Sequence, residues 1–176
     1  MTLATAYDSV SVGSLPIDGD CYFGYSNGLY TNLNAVSLRF PHKPVKSITV
    51  WGMDTLALMS DVCDCETGDY TPTLAAQWAG RKIVAGYGRP TIYCNTSTYD
   101  SVVSALLAVG LAFGPDVDWW EAHYDNVPVL SSNPGTIGKQ YQSLPSYDVS
   151  VVDPVWLGVK PAPLASRTRS FLLLGV

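Results

Sequence analysis

Basic residues are scarce in this sequence of 176 residues. Ten Lys and Arg residues stand against fifteen Asp and Glu residues, so the formal net charge is -5 at pH 7. Because nucleic-acid binding depends on Lys and Arg to neutralise phosphates, this balance argues against a nucleic-acid partner. A neutral or cationic substrate suits the charge better, and bacterial cell-wall glycan is one candidate.

Long hydrophobic runs are also lacking. A membrane helix needs about 20 predominantly apolar residues, and no stretch of the sequence approaches that length. The first ten residues, MTLATAYDSV, contain neither the basic start nor the apolar run of a secretory signal peptide. We therefore expect no membrane partner and no signal peptide.

Side chains that bind metals are few and poorly spaced. The only histidines are His42 and His123, which lie far apart and isolated. The cysteines are Cys21, Cys63, Cys65 and Cys94. Their spacing does not match a zinc site, and a Cys-x-Cys pair on one strand has poor geometry for a disulfide. We predict buried free thiols and neither a metal nor a cofactor.

The sequence does contain enough apolar residues for one globular domain. Apolar residues make up 47% and charged residues 14% of the chain. Short segments rich in β-branched or aromatic residues, bounded by Gly, Pro, Asn or Asp, predict strands. The eight predicted strands are Leu3–Tyr7, Cys21–Tyr25, Ser47–Trp51, Ala57–Asp64, Thr91–Cys94, Trp119–Tyr124, Ile137–Tyr141 and Tyr147–Val152.

Helical patterns alternate with these strands. Thr71 and Pro72 predict the start of one helix, because Thr is a good N-cap and Pro suits the first helical position. A second helix is predicted from about Ser97 to Leu111, with Ser97 as its cap, and a shorter one near residues 32–39.

The alternation of strands and helices predicts a parallel sheet, and eight strands suggest a closed barrel. Such barrels typically need about 250 residues. We therefore predict an α/β fold, a trimmed TIM-like (β/α)8 barrel with helices short or missing after strands one, six and seven. The alternative is an open, doubly wound sheet. We place the barrel at residues 1–153 and a Pro-containing tail at 154–176.

The segment between Asp61 and Asp69 is rich in carboxylates at a predicted strand end. Side chains alternate along a strand, so Asp64 and Glu66 point the same way and Asp61 points the other way. Two neighbouring carboxylates, one kept protonated by the other, meet the demand of glycoside hydrolysis. Alternatively, these acids only solvate a loop or cap the next helix. A metal-dependent hydrolase that uses Asp61 and His123 as further ligands is a third option.

Other strand ends carry polar and aromatic side chains that suit a sugar, which offers apolar C–H faces and hydroxyl groups together. For each aromatic residue taken singly, core packing is the alternative. These candidate substrate-binding residues are Asp8, Tyr93, Trp120, Tyr124, Gln140 and Asp148.

The motif Asp64-Cys65-Glu66, with the Gly-Asp-x-Thr-Pro that follows it, resembles the Asp-x-Glu strand of family-25 (lysozyme-type) glycoside hydrolases and of glycoside-hydrolase-like domains. Further segments resemble other strands of that family in the same order: Ala6–Ser9, Pro90–Cys94, Trp120–Tyr124, Gln140–Tyr141 and Tyr147–Val152. The resemblance favours the barrel. It implies a muramidase that cleaves peptidoglycan, with Glu66 as general acid, Asp64 as its partner, and the candidate substrate-binding residues around them.

The alternative function is a catalytically inactive barrel that serves as a glycan-binding or phage virion module. The short chain, Lys139 where the family often has Trp, and the apolar run Phe171–Leu174 motivate it. Relatives of this kind occur in bacteriophage and actinobacterial proteins. The resemblance thus implies location in the host cytoplasm during production, or in a virion if the chain is phage-encoded, with the tail contacting other virion proteins.

Overall fold

Eight strands close into a barrel in the computed structural model of the chain, which describes residues 2–158. Strands pair with their sequence neighbours, and the first pairs with the last, so the ring is complete. The predicted barrel is therefore confirmed, and the open sheet is wrong. The strands are β1 Ala4–Asp8, β2 Cys21–Tyr25, β3 Val45–Thr49, β4 Val62–Asp64, β5 Thr91–Asn95, β6 Asp118–Ala122, β7 Thr136–Ser143 and β8 Asp148–Val152.

Helices cover only part of the barrel. They are α1 Leu33–Arg39, α2 Thr55–Met59, α3 Pro72–Val84 and α4 Tyr99–Ala108. A 3-10 turn, Val12–Ser14, is all that follows β1, and within residues 2–158 no helix follows β6 or β7. The barrel is trimmed at the predicted places.

Local capping explains where α3 begins, whereas the start of α4 differs from the prediction. The Thr71 hydroxyl accepts a hydrogen bond from the Leu74 amide, at 3.3 Å, so α3 starts as predicted. Helix α4 is shorter than predicted at both ends, and its N-cap position is Thr98. Ser97 is not the cap, because its hydroxyl donates instead to the Asn95 side chain at 2.7 Å.

The predicted strand Ala57–Asp64 is wrong in its first half, which forms α2. Asp54 caps this helix by accepting a hydrogen bond from the Ala57 amide at 2.9 Å. A short apolar run fits a helix or a strand equally well, and here the Asp54 cap favours the helix. Strand β4 is left with three residues, which end at Asp64.

Strand β8 runs antiparallel to both of its neighbours, β7 and β1. The prediction that all the strands are parallel is wrong for this one. Residues 144–147 alone join β7 to β8, and parallel strands need a crossover of a dozen or more residues. As a result Asp148, the first residue of β8, pairs with Asp8, the last residue of β1.

The buried residues form separate inner and outer layers of the sheet. Phe23 and Trp120 belong to the layer inside the barrel, and their rings stack with centroids 4.1 Å apart. Trp78 and Trp119 belong to the layer between the sheet and α3 and α4. All four cysteines are free and buried, as predicted.

The end of the barrel formed by the strand starts is covered by Trp156. Its ring lies 6.0 Å from the ring of Phe23, and its indole nitrogen donates to the Thr91 hydroxyl at 3.2 Å. Residues 159–176, including the run Phe171–Leu174, lie outside the described residues, so the role of the tail stays a prediction. Among residues 2–158, no helix has both the length and the hydrophobicity that crossing a membrane requires.

Candidate active site

One pocket of about 80 Å³ opens at the end of the barrel where strands β1–β7 finish. It brings together all eight side chains selected from the sequence. Ile48 and Tyr25 also line it. Tyr25 was not predicted from the sequence. It is the last residue of β2, a strand whose bounds were predicted correctly, and the other candidates were selected because they lie near strand ends. The eight are Asp8, Asp64, Glu66, Tyr93, Trp120, Tyr124, Gln140 and Asp148.

The turn after β4 presents Asp64 and Glu66 to the same pocket. The Cys65 amide donates to the carbonyl of Tyr93 at 2.8 Å, so strand pairing continues one residue beyond β4. Cys65 itself is buried in the outer layer. The chain then turns through Gly68, whose φ of 101° is in the left-handed region that favours glycine. The predicted alternation of side chains therefore extends through Glu66.

Asp8 and Asp148 form a second acidic pair across β1 and β8. Asp8 is only 4% exposed. The Tyr25 hydroxyl donates to its Oδ2 at 3.3 Å, whereas Oδ1 is buried without a hydrogen-bond partner. Burial, assisted by the charge of Asp148, raises the pKa of Asp8 to about 7. This pair thus holds a proton under conditions in which ordinary carboxyls are ionised.

The carboxyls of Asp64 and Glu66 are also perturbed. Asp64 is 7% exposed, its Oδ1 has no hydrogen-bond partner, and burial followed by the charge of Glu66 raises its pKa well above the usual value. Glu66 is more accessible. Burial and then the charge of Asp69 raise its pKa, while a hydrogen bond from Tyr93 opposes the rise. An accessible carboxyl with a raised pKa is suited to proton donation.

The aromatic side chains occupy different depths of the pocket. Trp120 is fully buried beneath it, and its indole nitrogen donates to the Ser150 hydroxyl at 3.2 Å. Tyr124 is half exposed at the rim, with its hydroxyl 3.0 Å from that of Tyr93 and 3.4 Å from the Gln140 amide nitrogen. Tyr124 therefore offers a ligand more surface than Trp120 does.

The pocket continues into wider depressions on both sides. One of about 320 Å³ shares Asp8, Tyr25 and Asp148 with it and lies against the β7–β8 turn. The other, of about 290 Å³, shares Tyr25, Asp64 and Glu66 with it. Together they form a groove across the mouth of the barrel. Among residues 2–158, no Lys, Arg or His side chain lines any of the three.

The side chains proposed as additional metal ligands do not lie together in the pocket. Asp61 precedes β4, at the opposite end of that strand from the pocket, and accepts hydrogen bonds from the amide and hydroxyl of Ser47. His123 does not line the pocket, and its Nδ1 lies 3.6 Å from carboxylate oxygens of Glu121 and Asp125. The metal-dependent alternative built on Asp61 and His123 is therefore wrong.

Lys139 lies on the outer face of β7, away from the pocket. Its ammonium group pairs with Asp125 at 2.7 Å, and the side chain is buried. The neighbouring residue Gln140 faces the pocket instead. Lys139 thus neither adds to nor takes away from the surface offered to a ligand.

Comparison with known proteins identifies the fold. No family model and no curated protein sequence matches the chain. Among solved structures, it is similar to the Clostridium perfringens spore cortex lytic enzyme SleM, with TM-score 0.56 and 12% identity over 85% of this chain and 67% of that one. A family 25 glycosyl hydrolase from Bacillus anthracis gives 0.50 and 13%, over 85% and 88%. The Streptococcus pneumoniae glycosyl hydrolase 25 GHIP gives 0.50 and 13%, over 86% and 88%. The predicted resemblance to the family-25 barrel is confirmed as a likeness of fold.

Proposed function

We propose that this protein is a muramidase that hydrolyses the β-1,4 bond between N-acetylmuramic acid and N-acetylglucosamine in peptidoglycan. The observation that carries the proposal is the pairing of Asp64 and Glu66 in one pocket, both with raised pKa values. The similarity to a spore cortex lytic enzyme and to family 25 hydrolases supports the same chemistry.

Glu66 is assigned as the general acid. Cleavage of a glycosidic bond requires a proton on the leaving oxygen as the bond to the anomeric carbon breaks. Glu66 reaches the pocket, is partly exposed, and has a raised pKa. After the leaving group departs, the Glu66 carboxylate takes a proton from the water that attacks the anomeric carbon. The residue therefore ends the cycle protonated, as it began.

Asp64 is assigned as the partner of Glu66. Its unpartnered Oδ1 can accept a hydrogen bond from the N–H of the substrate's acetamido group. The acetamido oxygen is then oriented to attack the anomeric carbon, so that a cyclic intermediate forms as the leaving oxygen is protonated. In this route Asp64 orients the group, and the positive charge that develops on it favours the ionised form of the Asp64 carboxyl, which stabilises that charge. When water then attacks the anomeric carbon, the bond from this carbon to the acetamido oxygen breaks and the acetamido group is restored.

Purified peptidoglycan tests the proposal directly. We expect the wild-type protein to clear suspensions of purified walls and to release new reducing ends, with muramic acid at the newly formed ends as identified by borohydride reduction and mass spectrometry. Walls from several bacterial types are needed, because cross-links and substituents differ among them. Failure to release reducing ends from any of them would contradict the proposal.

Tyr93 provides a test of the acid assignment through pH. Its hydrogen bond lowers the pKa of Glu66, so Tyr93→Phe should raise that pKa further. A general acid works only while protonated, so activity falls as pH rises through its pKa. The alkaline limb of the kcat/KM profile should therefore move to higher pH in the variant. The rate on the plateau should fall by no more than about tenfold, since a neutral hydrogen bond contributes about 1 kcal/mol.

Tyr87→Phe is the matched control, because Tyr87 lies in the loop after α3 and does not line the pocket. Its profile should coincide with that of the wild type. An alkaline limb that stays in place or moves to lower pH in Tyr93→Phe would show that Glu66 is not the acid that titrates there.

A further inference from the structure

An acidic and aromatic extension of the groove begins beside Glu66. Asp69 and Tyr30 line its first depression together with Asp64 and Glu66. A second depression, of about 230 Å³, lies on the other side of Asp69 and is lined by Trp51 and other apolar residues. Asp69 thus borders both depressions. We call the two together the acidic arm.

Three carboxyl groups line the acidic arm, and within residues 2–158 none of Asp64, Glu66 and Asp69 forms an ion pair. Among the same residues no basic side chain lines either depression, so no cation balances a carboxyl that is ionised there. Moreover, Asp64 is more than nine-tenths buried, and no donor in the described part of the chain reaches its Oδ1. A buried acceptor without a donor is costly, so this end of the arm is complete only when a ligand supplies an N–H or O–H group.

Two large rings are exposed on either side of Asp69. Tyr30 is 58% exposed and Trp51 is 64% exposed. The carbonyl of Trp51 accepts hydrogen bonds from the side chains of Asn27, at 2.6 Å, and Thr49, at 3.1 Å, so the loop that carries this ring is fixed. Aromatic faces pack against the C–H faces of sugars and attract cations within about 6 Å. An acid between two such rings therefore suits a ligand that is both ring-shaped and positively charged.

We propose that the acidic arm binds a protonated primary amine of the substrate, with Asp69 as the residue that determines this specificity. The proposal rests on the proposed function, in that the groove is taken to hold a glycan. Two parts of a cell wall can supply such an amine. One is a hexosamine unit without its N-acetyl group, and the other is the amine side chain of a stem peptide.

Binding measurements with defined oligosaccharides test the proposal separately from cleavage. The probes are a β-1,4 glucosamine tetramer with free amines and the fully N-acetylated tetramer. They are titrated by calorimetry at about pH 6, where amines are protonated. Burial raises the pKa of Asp69, and an ammonium group placed beside this carboxyl favours its ionised form. Mass spectrometry checks that the probes stay intact. We expect the free-amine tetramer to bind more tightly by a factor of up to about five, which matches an ion pair at a partly exposed site, and added salt to reduce the difference.

Variants assign the effect to Asp69. Asp69→Asn should remove the preference for the free-amine tetramer, a loss of up to about fivefold in its affinity, while the affinity for the acetylated tetramer stays the same. Asp100→Asn, which removes an equal charge from an exposed position in the first turn of α4, should change neither. Equal affinity of the wild type for the two tetramers, no binding of the free-amine tetramer, or equal losses in the two variants would each overturn the proposal.

A third probe separates the two sources of amine. If a lysine-containing stem tripeptide competes with the free-amine tetramer and loses affinity in Asp69→Asn, the acidic arm binds the peptide amine. If the tripeptide does not compete, the acidic arm binds the sugar amine. If the two tetramers differ in affinity as expected, either result supports recognition of an amine. The muramidase proposal, in contrast, fails when walls release no new reducing ends that carry muramic acid, and this outcome does not depend on which probe binds.

Discussion

Replacement of Glu66 by Gln is expected to lower the release of reducing ends from purified walls by a factor of about 10²–10⁴, the contribution typical of a general acid. Gln has the same shape as Glu and keeps an oxygen that can accept the hydrogen bond from Tyr93. It has no acidic proton to give to the leaving oxygen. Because Glu66 is only partly buried, the substitution should leave the thermal unfolding midpoint close to that of the wild type.

Two controls make the result interpretable. Asp100→Asn makes the same change from carboxyl to amide at an exposed position that does not line the pocket, and should retain full activity. Binding to walls, measured by co-sedimentation, should survive in Glu66→Gln. If the variant remains active, the assignment of the acid is wrong. If neither wild type nor variant cleaves walls but both bind them, the alternative of an inactive glycan-binding or virion module is favoured.

The barrel itself could be predicted from the sequence because each strand is short and bounded by turn-forming residues. The bounds of β2 were predicted without error, and those of the others differ by a few residues at most, apart from β4. The error at Ala57–Asp64 arose because a short apolar run before a strand, here the four residues 56–59, can equally form a turn of helix. The Asp54 side chain favours the helix, because it caps that turn.

The antiparallel course of β8 could have been predicted, since the two last predicted strands are separated by five residues. Such a gap fits a hairpin and is too short for a parallel crossover. This error did not displace the site. Asp148 begins an antiparallel strand, so it lies at the mouth of the barrel, where the ends of the parallel strands also lie. In a wholly parallel barrel, the first residue of β8 would have been at the opposite end.

The candidate site residues could be predicted to lie together because strand ends and the alternation of side chains restrict where polar groups can lie. Asp64 and Glu66 follow directly from that rule, and so do Asp8 and Gln140. The acidic arm could not be found in this way. Tyr30 and Trp51 lie in loops after β2 and β3, and loops have no repeating geometry from which the direction of a side chain can be predicted.

Asp8 is expected to reduce the stability of the folded protein above neutral pH. Its pKa is about 7 in the folded state, against an ordinary value of 3.8. The folded protein therefore retains a proton that the unfolded chain has already released, and the free energy of unfolding falls as pH rises from about 4 to about 7. At 1.36 kcal/mol for each pKa unit, the loss is up to about 4 kcal/mol above pH 7. Because neighbouring Asp148 is partly exposed to solvent, the loss in the free energy of unfolding is smaller than this upper value.

Asp8→Asn should recover most of that loss, because the amide has no proton to release and no charge to bury. We expect the variant to unfold at a higher temperature than the wild type at about pH 8, and at nearly the same temperature at about pH 3, where Asp8 is mostly neutral in both the folded protein and the unfolded chain. Thermal unfolding followed by circular dichroism across this range measures the difference. In Asp100→Asn, the difference from the wild type should not change with pH in this way.

The same substitution should lower wall cleavage, since Asp8 lines the pocket and its Oδ1 is free to accept a hydrogen bond from a ligand. A variant that is more stable yet less active would show that the buried carboxyl is kept for function at the expense of stability. If Asp8→Asn is instead less stable at both pH values, Asp8 holds the fold together through its contact with Tyr25, and its burial is structural. Unchanged activity in a stabilised variant would remove Asp8 from the substrate-binding residues while leaving Asp64 and Glu66 in place.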